Sequence, residues 1–168
     1  MSQDEIVVLV DEADNISGYK KRSELALEDR WRIIAIWIEN SKGEVLLAQR
    51  SDNVKNDPGC WGPATAGTVN KDQSYEECAY KELAEELGLT DVRLTPHIKA
   101  VYISTRGNRR VCQWFTAKVD LDANELNLQP EEVQAAKWFN KEELLHEIED
   151  HPDKFVGSAP LWKDWIKF

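Results

Sequence analysis

Three carboxylates, Glu82, Glu85 and Glu86, are spaced i, i+3, i+4. On a helix that spacing sets them side by side on one face. Like charges so placed repel one another, at a cost of a few tenths of a kcal/mol when solvated. A hard divalent cation such as Mg2+ reverses the sign of that term, because it prefers carboxylate and carbonyl oxygens. Two readings stay open on spacing alone. The stripe gathers a metal, or it is a solvated acidic face partly neutralised by Lys81, which lies four residues from both Glu77 and Glu85.

The element that must carry these acids is well punctuated. Ser74 followed by Glu77 makes a capping box, so a helix begins at Tyr75. Gly88 ends it after Leu87, in the left-handed conformation that glycine tolerates. Ala79, Leu83 and Leu87 fall on one side and face a core. A glycine loop beginning at Gly67 leads into this helix.

The whole stretch, GTVNKDQSYEECAYKELAEELGL, resembles the Nudix box, G-x5-E-x7-R-E-U-x-E-E-x-G-U, where U is a bulky aliphatic. Gly67, Glu82, Leu83, Glu85, Glu86, Gly88 and Leu89 match without gaps. Gln73 stands where the family has Glu, and Lys81 where it has Arg. The resemblance implies a mixed-sheet α/β/α sandwich. It implies hydrolysis of a small substrate containing a diphosphate, of nucleotide-like type, with Mg2+ as cofactor and Mn2+ as the alternative. Carried over by position, Glu82, Glu85 and Glu86 are catalytic metal ligands, and the Gly67 carbonyl lies near the metal. A general base outside the box is expected at Glu132, ahead of its neighbour Glu131. Gln73 loses a charge, and Lys81 loses the planar fork of an arginine. Those two departures motivate an alternative, a catalytically weak or inactive Nudix binding module. Asp72 is the candidate to replace the missing loop carboxylate.

A second run, LLAQRSDNVKNDPGCWGPATAG, is similar to isopentenyl-diphosphate isomerases and to hydrolases that share their N-terminal extension. Arg50 and Lys55 match diphosphate-binding positions of that branch, and basic groups near a carboxylate cluster suit phosphate oxygens. The isomerase thiol position is Ala66 here, and its metal-binding His position is Thr68. Cys60 is several residues away, so isomerisation is the least favoured reading.

Composition bounds the rest. A chain of 168 residues suits one domain. Residues 1–29 read as an extension with a β-hairpin, 30–150 as the core, and 151–168 as a C-terminal helical segment. A net charge of −10 argues against nucleic acid or an anionic membrane as partner. Three scattered cysteines with no CxxC pair suggest no disulfide framework and no zinc site. No long apolar stretch and no leader-like start appear, so a cytoplasmic protein is expected. Oligomeric state is open, a homodimer included.

Along the chain, strands are expected at 5–12, just after Asn15, and at 32–39, 44–50, 64–69, 98–104, 110–119 and 135–140. Residues 44–50 read as the hairpin partner of 32–39, and residues 51–63 as a loop. Helices are expected at 21–29, 75–87, 141–150 and 159–168, the last carrying Leu161, Trp162, Trp165 and Ile166 toward the core. Trp31, Trp61, Tyr102 and Trp114 are candidate pocket aromatics. His97, His146 and His151 read as surface residues.

Overall fold

A strand buried on both sides must serve two cores, and alternation divides its side chains between them. In the strand Arg30–Glu39, Ile33, Ala35 and Trp37 join one apolar cluster, while Ile34, Ile36 and Ile38 join another. A computed structural model describes residues 4–103 and 107–162. Among these residues, strands β1 (Ile6–Val10), β2 (Ile16–Lys21), β3 (Arg30–Glu39), β4 (Val45–Arg50), β5 (Trp61–Pro63) and β6 (Thr65–Thr68) precede helix α1 (Tyr75–Leu87). Strands β7 (Thr95–Ile103), β8 (Arg109–Lys118) and β9 (Val133–Phe139) then lead to helix α2 (Lys141–Asp150). All nine strands belong to one mixed sheet.

The two clusters lie on opposite faces of β3, and each takes one helix. Ala79, Leu83 and Leu87 of α1 pack with Val8, Ile34 and Phe115. Leu144 and Ile148 of α2 pack with Val7, Trp37 and Trp162. Each fully buried leucine contributes roughly 1.5–3 kcal/mol of burial free energy. The expected α/β/α sandwich is therefore present.

Helix α1 has the expected bounds, with both halves of the capping box formed and Gly88 at φ 69°. The hairpin of β1 and β2 joins the main sheet through Leu9, opposite Trp31. Other expectations need correction. Strands β3 and β4 pair only at Ile38–Leu46 and Glu39–Val45. Beyond that point they part, and β6 takes the place beside β3, from Ile36–Thr65 to Ile33–Thr68. Strand β4 instead pairs with β5 and β9. The stretch expected to be loop thus contributes β5.

The helix expected over 21–29 is only a 3-10 turn at Arg22–Glu24. Beyond it the half-buried Leu25 is extended, and the exposed Leu27 lies in a turn that the Asp29 N–H closes onto the Ala26 carbonyl at 3.2 Å. In place of the C-terminal helix there are 3-10 turns at Pro152–Lys154 and Ala159–Trp162. Trp162 is fully buried, as expected. Trp165, Ile166, Ser104 and the side chain of Tyr102 lie outside the described residues.

The site helix is also anchored at its start. Asp14, in the left-handed region at φ 65°, accepts from Arg32 Nε at 2.8 Å, Lys99 Nζ at 2.6 Å and Tyr75 Oη at 3.0 Å. One carboxylate thereby ties the N-terminal hairpin to β3, β7 and the first residue of α1. Burial alone would raise its pKa, but hydrogen bonds from Lys99, Arg32 and Tyr75 outweigh that and hold it below the usual carboxylate value.

Candidate active site in the split of the sheet

Where β4 leaves β3, a cavity of about 580 Å3 opens. Strand β6 and the inner face of α1 close one wall, and the segment before β9 closes another. The three helical acids are not equivalent there. Glu82 and Glu86 are buried, at 3% and 5% exposure, whereas the Glu85 side chain is 51% exposed. Glu86 accepts a hydrogen bond from Thr65 Oγ1, and it lines the cavity. Glu85 does not line it. Its Oε2 instead accepts from Lys81 Nζ at 2.8 Å. Lys81 also lies 3.5 Å from Glu82 Oε1, so one ammonium serves both acids. Glu77, the other acid within reach by sequence, is committed to the cap.

Burial pushes the Glu82 pKa up to about 7, opposed by the Lys81 charge and reinforced by the charges of Glu132 and Glu85. Burial pushes Glu86 up to about 8, opposed by the Thr65 hydrogen bond and reinforced by Glu82 and Glu132. The charge of Arg50 acts on Glu86 in the stabilising direction. Glu132 is half-buried at the cavity rim, in reach of both buried acids electrostatically. Its neighbour Glu131 also lines the cavity, as do Arg50 and the exposed Lys55. Arg50 Nε donates to the Asn56 carbonyl at 2.9 Å, which braces the loop carrying Lys55.

Gly67, in β6 opposite Ile34, lies directly against Glu82. A Cβ added there would stand 2.6 Å from Glu82 Cδ and 2.9 Å from Oε1. Glycine is needed for that close approach rather than for a positive φ. Gln73 does not touch the acids, since its Oε1 accepts from the Asn70 N–H at 3.2 Å. Asp72 is exposed at φ 67° and serves the turn, so it does not supply the missing loop carboxylate at the cavity.

Among the described residues, no three His, Cys, Asp or Glu side chains converge closely enough to enclose a cation as they stand. The chemistry of the donor set nevertheless fits one. Two carboxylates sit buried side by side with a third at the rim, all donors are oxygen, and their ionisation is opposed by burial and mutual repulsion. A divalent cation relieves both penalties.

Trp31 and Trp114 line the cavity as expected, but Trp61 does not. Trp61 packs edge-on to Phe139, ring centroids 5.2 Å apart, beside a separate surface pocket. Ala66 lines the cavity and Thr68 is buried, so neither isomerase function is supplied at those positions. Cys60 is turned away, its thiol 3.6 Å from the Asp153 carbonyl. The lining cysteine is Cys112, whose thiol burial keeps protonated. Thr65, which holds Glu86, carries no sequence signal of that role. It is identified only by the register of β6 on β3.

Residues 29–157 match the family model described as NUDIX domain. An uncharacterized Nudix hydrolase of Pseudomonas aeruginosa is 34% identical, over 90% of this chain and 88% of its own length. An isopentenyl-diphosphate Delta-isomerase of Corynebacterium diphtheriae is 28% identical, over 92% of this chain and 89% of its own. A solved structure of a Deinococcus radiodurans protein superposes with a TM-score of 0.80 at 22% identity, covering 97% of this chain and 98% of that one.

Proposed function

The chain belongs to the NUDIX domain family and is a Nudix hydrolase, and from that premise we propose that it cleaves the phosphoanhydride of a small nucleotide-like diphosphate with Mg2+. The observation that carries this reading is the buried pair Glu82 and Glu86, of which Glu86 lines the same cavity as Arg50 and Glu132.

Glu82 and Glu86 are the residues that would hold the metal, with the Gly67 backbone close beside them. Glu85 joins them by giving up its contact with Lys81. When bound, a divalent cation neutralises the oxygens of a diphosphate and acidifies water. Arg50 and Lys55 offer N–H groups to the diphosphate oxygens, which fixes the phosphorus relative to the acids. Glu132 at the rim accepts the proton of the attacking water on a carboxylate oxygen. Trp31 and Trp114 give the cavity an apolar wall, which limits bulk water within it.

The test is a panel of nucleoside diphosphate derivatives with Mg2+ or Mn2+, scored for phosphate or nucleoside monophosphate release. Turnover that Glu86→Gln abolishes, in a folded protein, is expected. A binding module is the second reading, favoured by the hold of Lys81 on Glu85. It predicts ligand-dependent thermal stabilisation without turnover of any panel member. Allylic double-bond migration in a prenyl diphosphate would restore the isomerase reading.

A further inference from the structure

The cavity turns a corner at β6. Glu86 comes to it from α1 and is held by Thr65, which is level with Ile36 on the α1 side of the sheet. The residues on either side of Gly67 point the other way. Ala66 is level with Ala35 and Thr68 with Ile33, so both stand on the face that takes α2. Strand β8 runs along the opposite edge of β3 and continues these two rows with Trp114 and Cys112. The rows are therefore Ala66–Ala35–Trp114 and Thr68–Ile33–Cys112, and all six residues line the cavity. They begin at the split, where β6 takes the place of β4, and end two strands away, about 10 Å at the usual spacing.

This shelf is uncharged, since burial keeps the Cys112 thiol protonated. Its first row is two methyl groups followed by an indole, a low floor with a tall end. Trp114 is also held in place. Its ring lies edge-on to Trp37, centroids 6.5 Å apart, and Trp37 lies edge-on to Trp162 at 5.8 Å. A charged or heavily hydroxylated group pushed onto the shelf would lose its hydration without replacement. A flat aromatic ring covers both methyl groups and gains a ring contact that an aliphatic chain lacks.

We propose that this shelf holds the base of a nucleoside diphosphate substrate, lying over Ala66 and Ala35 against Trp114, with the diphosphate toward Glu86. What occupies the acid end rests on the hydrolase reading; the shelf itself does not. Ala66 and Trp114 are specificity residues, remote from the reacting phosphorus.

ADP against ribose 5-diphosphate, which differ only by the base, tests it. Wild-type protein with Mg2+ is expected to favour ADP by about 10- to 100-fold in kcat/KM, the scale of one base stacked on an aromatic side chain. Ala66→Leu fills the floor beside the split from a half-buried position and is expected to bring that ratio near one. Trp114→Leu keeps the end apolar without a ring and is expected to lower it. Should Trp114→Leu fail to fold, Ala66→Leu carries the test alone. Calorimetric binding of adenosine 5′-monophosphate against ribose 5-phosphate reads the shelf without a diphosphate. Wild type should favour the nucleotide, and Ala66→Leu should not.

Turnover with no advantage for the base overturns the shelf and leaves the hydrolase reading standing. So does an advantage that survives both substitutions, or geranyl diphosphate hydrolysed as well as ADP. Selective binding of the nucleoside monophosphate, lost in Ala66→Leu, without turnover of any diphosphate supports the shelf and removes the hydrolase reading.

Discussion

Glu86→Gln should make the metal-free protein more stable, and only at the alkaline side. The side chain is 5% exposed, and its carboxyl moves from an ordinary 4.5 to about 8 on folding. Between those pH values the folded protein keeps a proton that the unfolded chain releases. Its contribution to stability is therefore fully present below 4.5 and is lost as pH rises through about 8. At 1.36 kcal/mol per tenfold change in proton affinity, the full cost of ionising it is about 5 kcal/mol. Local relaxation and water entry reduce that, so about 2–5 kcal/mol is expected.

Glutamine has nearly the same shape, keeps an acceptor for the Thr65 hydroxyl, and carries no charge. Urea denaturation in EDTA at pH 5 and pH 8.5 measures the difference directly. The midpoints of the two proteins should nearly coincide at pH 5 and diverge at pH 8.5, with the variant higher. Added Mg2+ should then raise the wild type more than the variant, because the variant lacks one of the two buried carboxylate ligands. If Glu86→Gln is the less stable protein at both pH values, burying the ionised acid is not costly and the inferred need for a cation disappears.

Three further substitutions probe the surroundings of the site. Gly67→Ala puts a methyl 2.6 Å from Glu82 Cδ, so the acid or β6 must move; turnover should fall by about 10-fold or more and stability by about 1–3 kcal/mol, and unchanged initial rates in a folded variant would contradict the close-approach role. Asp14→Asn keeps a residue that tolerates the left-handed backbone but leaves Arg32 and Lys99 without their anion. Near neutral pH it should lose about 1–3 kcal/mol in thermal or urea unfolding. Because the Asp14 pKa is lowered, that deficit should shrink as pH falls through the carboxylate range; a pH-independent deficit would refute the assignment. Gln73→Glu retains the acceptor for the Asn70 N–H and should hold or raise activity with Mg2+, whereas loss of activity would assign the loop another task.

What could be read in advance follows the range of the forces involved. Ser74, Glu77 and Gly88 act within one turn of their own backbone, so the ends of α1 were evident from local residue types. The apolar, β-branched run from Ile33 to Ile38 indicated a buried strand for the same reason. Partners were less evident. Residues 40–43 suggest a β-turn and a full β3–β4 hairpin, yet the pairing ends after two residues, because β6 competes for the edge of β3. No local pattern encodes that competition.

The site divides in the same way. Glu82 and Glu86 were recognisable by spacing, but their burial and the separate fate of Glu85 depend on Gly67, Thr65 and Lys81 meeting in space. Leu25 and Leu27 suggested a helix over 21–29, which the chain gives up for a 3-10 turn and a second turn leading into β3.

The alternation along β3 also restricts how the chain can change in length. Strands β3 and β8 pair in unbroken parallel register from Arg30–Arg109 to Glu39–Lys118, with no bulge to absorb an insertion. Deleting one residue between Ile33 and Ile38 would exchange the two sets of side chains, delivering Trp37 to the α1 side and its isoleucine neighbours to the α2 side. It would also shift Trp31 relative to Arg110, or Ile36 relative to Thr65, and so change the span of the cavity by one strand step. Insertions and deletions that preserve this protein therefore belong outside the strand, in its flanking turns.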